Sequence, residues 1–215
     1  MKPRVCLPVL ERQASRRLVR LKILVAPAGR FDWQEMDRRT AYVAIESMNL
    51  WGSFCRLYYL STAMGAKDAA GRRVSTAAGP FATRQDAIGY AIQNVKPSVY
   101  KKKASSPWTW WDEPMWGNPS DFTKAMKALQ PSNLAAVVSA TALPTDVFTE
   151  LPKFRHFYAH RGEETARKAR RIAPNYLLSP KLHPTAILNN FGPMRPQTII
   201  CEWLDDMRFA VGLMA

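Results

Sequence analysis

The sequence predicts an all-α protein, a helical bundle with loop insertions and a basic N-terminal extension. Apolar residues recur at spacings of three and four along several segments, which places them on one face of a helix. The alternation of apolar and polar residues that is typical of a half-buried strand occurs only in the short stretch 19–25. With 215 residues, of which 47% are hydrophobic, the chain is long enough to bury a core.

The longest predicted helix begins after Asp32 and ends near Ala63. Asp32 and Glu35 have the spacing of an N-terminal capping box, and residues 33–63 contain one glycine and no proline. Two adjoining rows of this helix are largely apolar, so we expect it to be buried over a wide arc at the centre of the bundle. The rows consist of Trp33, Met36, Thr40, Val43, Ser47, Leu50, Phe54 and Leu57, and of Ala44, Met48, Trp51, Cys55 and Tyr58.

Capping residues and helix breakers predict the remaining helices. Thr83 opens one that ends before Pro97. The others are expected at 121–129, 132–142, 145–172 and 198–214. We expect a kink or break at Pro152. Residues 64–82 are interpreted as a connection, and 173–197, with five prolines, as a loop with at most short helices.

The chain divides by composition into a basic extension, residues 1–30, and a helical domain, residues 31–215, with an insertion at 96–120. The extension has eight basic residues and one acid, a net +7 that is half of the total of +14. Segregated positive charge favours a polyanion such as RNA over a merely solvated surface. Two alternatives stay open for the extension: a charged arm, or a strand or helix packed on the bundle. The insertion is rich in Trp, Pro and Ser, and we expect it to be ordered.

Several classes of protein are excluded by simple counts. No apolar run approaches the 18 residues of a membrane span, and the first 25 residues have no uncharged apolar stretch like that of a signal peptide. Three widely spaced cysteines do not form a disulfide framework. We therefore expect a soluble cytoplasmic protein with no membrane partner. No Walker loop, paired-cysteine motif or dinucleotide fingerprint occurs, so we expect no cofactor and no metal.

One short segment, Phe154–Gly162 (FRHFYAHRG), concentrates groups that can act in catalysis. Arg155 is followed directly by the polar His156 and, five positions on, by His160. Cleavage of RNA by its own 2′-hydroxyl needs a group that titrates near neutral pH and a fixed cation on the phosphorane. We assign the proton transfer to His160, the phosphate oxygens to Arg155 and an orienting role to His156.

The spacing of these residues predicts a site shared between two molecules. On a helix, Arg155 and His160 point about 140° apart, so they do not share one face. They converge if two copies of the helix meet across a two-fold axis. Glu163 and Glu164 follow His160 at three and four positions, and either is expected to orient its ring or raise its pKa.

Four further residues are assigned a supporting role. Glu46, Asn49 and Arg56 lie on one polar stripe of the long helix. This stripe is either its solvent-facing side or part of the site or of a buried polar network. Within the site, Asn49 or Glu46 would hold His160 or a water on the phosphate side. Tyr158 supports the site from within the motif. Arg161, Lys101, Lys102 and Lys103 are assigned to RNA binding. A tryptophan cluster beside the lysines either stacks on bases or packs as a loop or dimer contact. It consists of Trp108, Trp110, Trp111 and Trp116.

The order of Arg155, a polar residue and His160, on a late helix of an α-helical bundle, resembles the HEPN superfamily (higher eukaryotes and prokaryotes nucleotide-binding). Many members are metal-independent ribonucleases of toxin–antitoxin, abortive-infection and CRISPR-linked systems, and they act as dimers. The resemblance implies a homodimeric metal-independent endoribonuclease, a toxin or defence effector with an antitoxin or other regulatory protein as partner. It assigns Arg155, His156 and His160 to the catalytic motif. The alternative is a non-catalytic helical module of such a system that binds RNA or protein.

Overall fold

The computed structural model describes residues 6–26, 32–103, 107–191 and 196–214. Over these residues it contains ten α-helices and one short 3₁₀ helix, with isolated bridges but no strand, so the all-α prediction is confirmed. The α-helices are α1 (Leu7–Val25), α2 (Trp33–Ala63), α3 (Arg84–Val95), α4 (Pro97–Lys103), α5 (Pro119–Leu129), α6 (Leu134–Thr141), α7 (Val147–His160), α8 (Glu163–Arg170), α9 (Pro184–Leu188) and α10 (Ile199–Leu213). The 3₁₀ helix is Ala173–Tyr176.

Helix α2 has the bounds that the sequence predicts. The Asp32 Oδ1 atom accepts a hydrogen bond of 2.8 Å from the backbone N–H of Glu35, which satisfies a free donor at the start of the helix. Most of both predicted rows is buried, and Thr40, Ser47 and Trp51 are fully covered. Thr40 and Ser47 are tolerated inside because their hydroxyls donate to carbonyls of the preceding turn.

Capping residues also determine where the other helices begin. Thr83 Oγ1 accepts a 3.2 Å bond from Asp86 N and opens α3 as predicted. Helix α5 starts two residues earlier than predicted because Asn118 Oδ1 accepts from Ser120 N at 2.8 Å and Pro119 occupies the first turn. The final predicted helix, 198–214, corresponds to α10.

The predicted helix at 145–172 is broken at a different residue from the one expected. Helix α7 continues through Pro152, and the chain turns at Arg161, whose φ of 37° is left-handed. The proline removes one backbone hydrogen bond, but the burial of Leu151 and Phe154 on either side keeps the helix in place. Helix α8 then begins after Gly162, whose N–H donates to Thr165 Oγ1 at 3.1 Å.

The N-terminal segment is a packed helix rather than an arm that precedes the first helix. Helix α1 buries one apolar row at helical spacing, with each side chain at most 8% exposed. The row consists of Leu7, Leu10, Ala14, Leu18, Leu21 and Val25. Arg12, Arg16 and Arg20 are exposed on the helix. The expectation of an unpacked arm is therefore wrong over residues 7–25, while residues 1–5 and 27–30 lie outside the described part.

The chain forms two compact units. The first comprises Met1–Ala14, Trp51–Leu143 and Ala210–Ala215. The second comprises Ser15–Leu50 and Pro144–Phe209. Its core contains Phe154 and Trp203, whose rings pack edge to face at 5.8 Å, and Trp203 Nε1 donates to the Tyr176 hydroxyl at 3.0 Å.

The insertion 96–120 belongs to the first unit, and part of it is well packed. Trp116 is buried, and its Nε1 donates to Glu113 Oε2 at 2.7 Å. Trp110 and Trp111 instead stack on each other in solvent, 67% and 73% exposed. Of the helices in the described part of the chain, none has the length and apolar character needed to cross a membrane.

Candidate functional site

The predicted catalytic residues lie together on the last two turns of α7. Arg155, His156 and His160 are exposed, while Phe154 and Phe157 anchor the opposite face in the core of the second unit. The rings of His156 and His160 meet edge to face with their centroids 4.6 Å apart. One helix end therefore presents a guanidinium and two contacting imidazoles to solvent.

Arg155 also approaches α2 through Asn49. Its Nη2 atom lies 3.5 Å from Asn49 Oδ1, a long hydrogen bond that leaves the guanidinium available to an anion. Asn49 Nδ2 donates to Glu46 Oε1 at 3.2 Å, and Glu46 in turn lies 3.8 Å from Arg17. The predicted supporting residues Glu46 and Asn49 thus form a polar row that leads to Arg155.

Glu163 and Glu164 do not orient His160, and that expectation is wrong. Helix α7 ends at His160, so the i+3 and i+4 relation of a continuous helix does not apply. Glu163 pairs with Arg170, and Glu164 forms ion pairs with Arg167 and Lys168. These carboxylates belong to α8.

Arg161, predicted to bind RNA, has a partner within the protein. Its Nη1 donates to Asp37 Oδ2 at 2.7 Å, and its guanidinium carbon lies 5.7 Å from the centre of the Tyr158 ring. Asp37 Oδ1 accepts from the Thr185 hydroxyl. Because the single proton of Thr185 serves Asp37, the buried Tyr158 hydroxyl donates to Thr185 Oγ1, 3.0 Å away. This network holds the end of α7, and the predicted supporting residue Tyr158 is its buried member.

The charge of Asp37 follows from its partners. Burial raises the pKa of its carboxyl, but the hydrogen bonds from Thr185 and Arg161 outweigh burial, so the pKa is lowered overall. Asp37 is therefore a carboxylate at neutral pH and can hold Arg161. Tyr158 is affected in the opposite direction: burial raises the pKa of its phenol, which remains a neutral hydrogen-bond donor.

His183, to which the sequence analysis assigns no role, is part of the same region. Its Nδ1 accepts a 3.2 Å hydrogen bond from Thr185 N and caps α9. Its ring packs edge to face on Trp33 and Phe157, with centroids 5.2 and 5.4 Å away. Burial lowers the pKa of this imidazole, although Asp37 opposes the effect. The signal in the sequence is a polar residue before Pro184, a common start of a helix.

Arg56 belongs to the first unit, whereas Arg155 and His160 belong to the second. It forms a bidentate pair with Glu113 in the first unit, Nε to Oε2 at 2.6 Å and Nη2 to Oε1 at 2.7 Å. Glu113 is 6% exposed and also accepts from Trp116. Arg56 therefore compensates a buried carboxylate, which is the buried-network role that was left open for this polar stripe.

The predicted lysine cluster ends α4 in the first unit, and its three side chains are exposed. Lys103 lies 2.8 Å from Asp112 Oδ1. The hydrogen bonds from Lys103 and from Thr109 N lower the pKa of Asp112 to about 2. Lys101 and Lys102 form no ion pair with any residue that the structure describes, so they stay available to an anion.

His156 and His160 also have the spacing of two metal ligands. Within the described ranges, no cluster of three or more His, Cys, Asp or Glu side chains is arranged to hold a metal ion. Comparison of the chain with protein-family models, curated proteins and solved structures found no match. The site is therefore interpreted from its own chemistry.

Proposed function

We propose that this protein is a metal-independent endoribonuclease of the HEPN type, a homodimer that serves as a toxin or defence effector. The observation that carries the proposal is the contact of His156 with His160 beside Arg155, on the exposed end of α7. RNA is the substrate class for two reasons. The protein carries a net charge of +14, which favours a polyanion, and the 2′-hydroxyl of RNA supplies the nucleophile.

Each of the three side chains has a role in the reaction. The 2′-oxygen attacks the adjacent phosphorus and its proton passes to His160. The bond from phosphorus to the 5′-oxygen then breaks as His160 returns the proton to that oxygen. Arg155 donates to the non-bridging oxygens, where negative charge increases in the transition state. His156 touches the His160 ring and fixes its orientation. The products are a 2′,3′-cyclic phosphate and a 5′-hydroxyl.

A second copy of the chain would cover the site, which is open to solvent in one copy. The three side chains are exposed around the C-terminal end of α7, and on this face of the second unit water competes for the phosphate. A two-fold contact at this face would cover the site, strengthen its electrostatic interactions and bring Arg155 of one protomer to His160 of the other.

The internal network behind α7 supports this geometry. The hydrogen bonds among Arg161, Asp37, Thr185 and Tyr158 hold the residue that directly follows His160. Because a general base must lie within hydrogen-bond reach of its proton, a fixed helix end favours turnover.

The test is incubation of purified protein with total RNA in EDTA, followed by analysis of the new ends. We expect cleavage that leaves cyclic or 3′-phosphates and 5′-hydroxyls. Arg155→Ala should reduce the rate by about 10²–10³-fold and His160→Ala by about 10²–10⁴-fold, with a smaller effect for His156→Ala. Arg38→Ala, at a side chain that is 73% exposed, is the matched control. Dependence on Mg²⁺ or 5′-phosphate ends would contradict the mechanism.

The second candidate is a non-catalytic module that binds RNA. The observation in its favour is that Arg155, His156 and His160 are all exposed, as in a surface that recognises phosphates without reacting. Induced expression separates the two functions. A nuclease arrests growth and the Arg155→Ala, His160→Ala variant does not, whereas a binding module leaves growth unchanged in both cases.

A further inference from the structure

A groove of about 490 Å³ lies on the second unit, apart from the residues assigned to catalysis. Its size is that of a small-molecule site. The lining consists of Arg167, Arg170, Arg171, Pro174, Pro180 and Lys181. Four of these six side chains are cationic, and none is acidic.

The positive charge of the groove is only partly neutralised within the protein. Arg167 pairs with Glu164 and Arg170 with Glu163, but these carboxylates are 58% and 82% exposed. Exposed ion pairs contribute little to stability, so a phosphate can replace these carboxylates. Arg171 and Lys181 form no ion pair with any other described residue.

The convergence of these cations from two segments is not explained by helix stability. Arg170 and Arg171 lie at the C-terminus of α8, where positive charge interacts favourably with the helix dipole. Lys181 comes from the loop after the 3₁₀ helix and gains nothing from that dipole. Its approach to three arginines adds repulsion, which an anionic ligand would convert into attraction.

Buried residues support the two segments that line the groove. Between its two cationic segments, Tyr176 is buried and its hydroxyl donates to Asp146 Oδ2 at 3.2 Å while accepting from Trp203 Nε1. Ala169, on the inner side of α8, is fully buried. Both walls therefore hold their cations in place before a ligand arrives, which reduces the entropy lost on binding.

The apolar part of the groove indicates a ligand larger than an isolated phosphate. Pro174 and Pro180 line it, and between them along the chain Leu177 is 82% exposed with a left-handed φ of 56°. Bases and riboses provide surfaces for such contacts, whereas inorganic phosphate does not.

We propose that this groove binds the phosphodiester backbone of single-stranded RNA, with Arg171 and Lys181 as its principal phosphate contacts. The identity of the ligand rests on the proposed function, since RNA is the substrate class inferred there. The groove would add affinity for the strand without taking part in the chemical step.

The test measures binding of a labelled oligouridylate of about 12 nucleotides to the His160→Ala protein, so that cleavage does not interfere. In this background, Arg171→Gln with Lys181→Gln should raise Kd about tenfold for each cation removed. The slope of log K against log salt should flatten by about 0.7 for each lost phosphate contact. The matched control is Arg38→Gln with Arg72→Gln, at side chains 73% and 79% exposed. An unchanged Kd and slope, in a protein of unchanged Tm, would overturn the proposal.

Competition experiments test the class of ligand. Unlabelled oligouridylate should displace the probe at far lower concentration than inorganic phosphate, uridine monophosphate or a polyglutamate peptide. Equal displacement by polyglutamate would show an acidic protein surface as the ligand, and equal displacement by a small phosphate would show a mononucleotide or anion pocket. Either result overturns the RNA assignment.

The two proposals fail separately. If wild-type protein does not cleave RNA but its RNA binding depends on Arg171 and Lys181, the proposed groove is supported and the proposed nuclease activity is contradicted. If wild-type protein cleaves RNA and the double substitution leaves both Kd and KM unchanged, the nuclease activity is supported and the proposed groove is contradicted.

Discussion

The guanidinium of Arg161 donates to the carboxylate of Asp37 at 2.7 Å, across 124 positions of the chain. Arg161 follows the last residue of α7 and has a φ of 37°, which a residue with a side chain rarely adopts. Asp37 lies on α2 and also accepts a hydrogen bond from the hydroxyl of Thr185, the second residue of α9. The ion pair therefore ties the turn beside His160 to two other helices of the second unit.

Replacement of Asp37 by Asn should destabilise the protein and loosen the site. The change leaves Arg161 without its counter-ion and weakens the hydrogen bond from Thr185. We expect the free energy of unfolding to fall by about 1–2 kcal/mol. This corresponds to a decrease in Tm of about 2–4 °C per kcal/mol. Calorimetry checks the prediction, with Asp68→Asn, which breaks the exposed pair with Arg72, as the control. A Tm equal to that of the control would contradict it.

The same carboxylate predicts a dependence of stability on pH. The pKa of Asp37 is lowered in the folded protein, because the bonds from Thr185 and Arg161 outweigh burial. Its contribution is therefore complete above the unfolded pKa of about 3.9 and is lost as pH falls toward the folded value. We expect the difference in Tm between wild type and Asp37→Asn to shrink below about pH 4. A difference that persists unchanged to about pH 2 would show that Asp37 acts through packing alone.

A substitution at His183 should separate its role as a cap from its titration. His183 Nδ1 accepts from Thr185 N only while the ring is neutral. Because burial lowers the pKa of this imidazole below the unfolded value of about 6.5, its contribution is present above that value and is lost as pH falls through the folded pKa. His183→Ala should cost about 1 kcal/mol, the usual value of a lost cap.

His183→Asn provides the matched control, since Asn accepts the same bond and does not titrate. We expect it to recover part of the stability lost in His183→Ala and to keep that recovery at mildly acidic pH. Thermal unfolding of the three proteins between about pH 7 and pH 5 makes the comparison. Equal stability of the Ala and Asn variants would mean that ring packing against Trp33 and Phe157, rather than the cap, explains the effect of His183.

The dimeric site predicts complementation between inactive variants. Arg155→Ala and His160→Ala proteins should regain activity when they are mixed under conditions that allow subunits to exchange, because one of the two sites in a heterodimer then holds both groups. Activity should approach about a quarter of wild type if exchange is complete and statistical. The control mixes Arg155→Ala with an Arg155→Ala, His160→Ala protein, which cannot form an intact site. Full wild-type activity in a strictly monomeric protein would contradict the shared site.

The helices could be predicted because their signals are local. Asp32 and Thr83 lie next to the helices that they cap, and the rows of α2 repeat every three or four residues. The break at Arg161 could not be predicted in this way, since Pro152 is the stronger local signal. The left-handed turn is held by Asp37 and Thr185, both distant in sequence from it.

The candidate site was predictable to the same extent. Arg155, His156 and His160 were found because they are close in sequence, and the contact between the two rings follows from their i, i+4 spacing. The partner of Arg56 could not be predicted, because Glu113 lies 57 positions away in a loop. Sequence alone does not indicate which of several polar side chains on a helix meets a buried carboxylate.

The positive charge of α1 made its packing on the core difficult to predict from the sequence. Its net positive charge favoured a free arm, although Leu7, Leu10, Ala14 and Leu18 already have helical spacing. Deletion of residues 1–30 would therefore remove part of the core and cannot report on RNA binding alone. Substitution of exposed charges is the sharper experiment.

Neutralisation of Arg12, Arg16 and Arg20 to Gln should weaken RNA binding without unfolding α1. The three side chains are exposed, and Gln keeps the helix propensity close to that of Arg. If all three contact phosphates, the slope of log K against log salt should flatten by about 2, which is about 0.7 for each contact. The kcat of the saturated enzyme should not change, because uniform binding affects KM alone. Leu10→Ala, at a side chain 2% exposed, is the contrasting variant and should lower Tm by creating a cavity. An unchanged salt slope in the triple variant would assign the charge of α1 to solubility rather than to RNA.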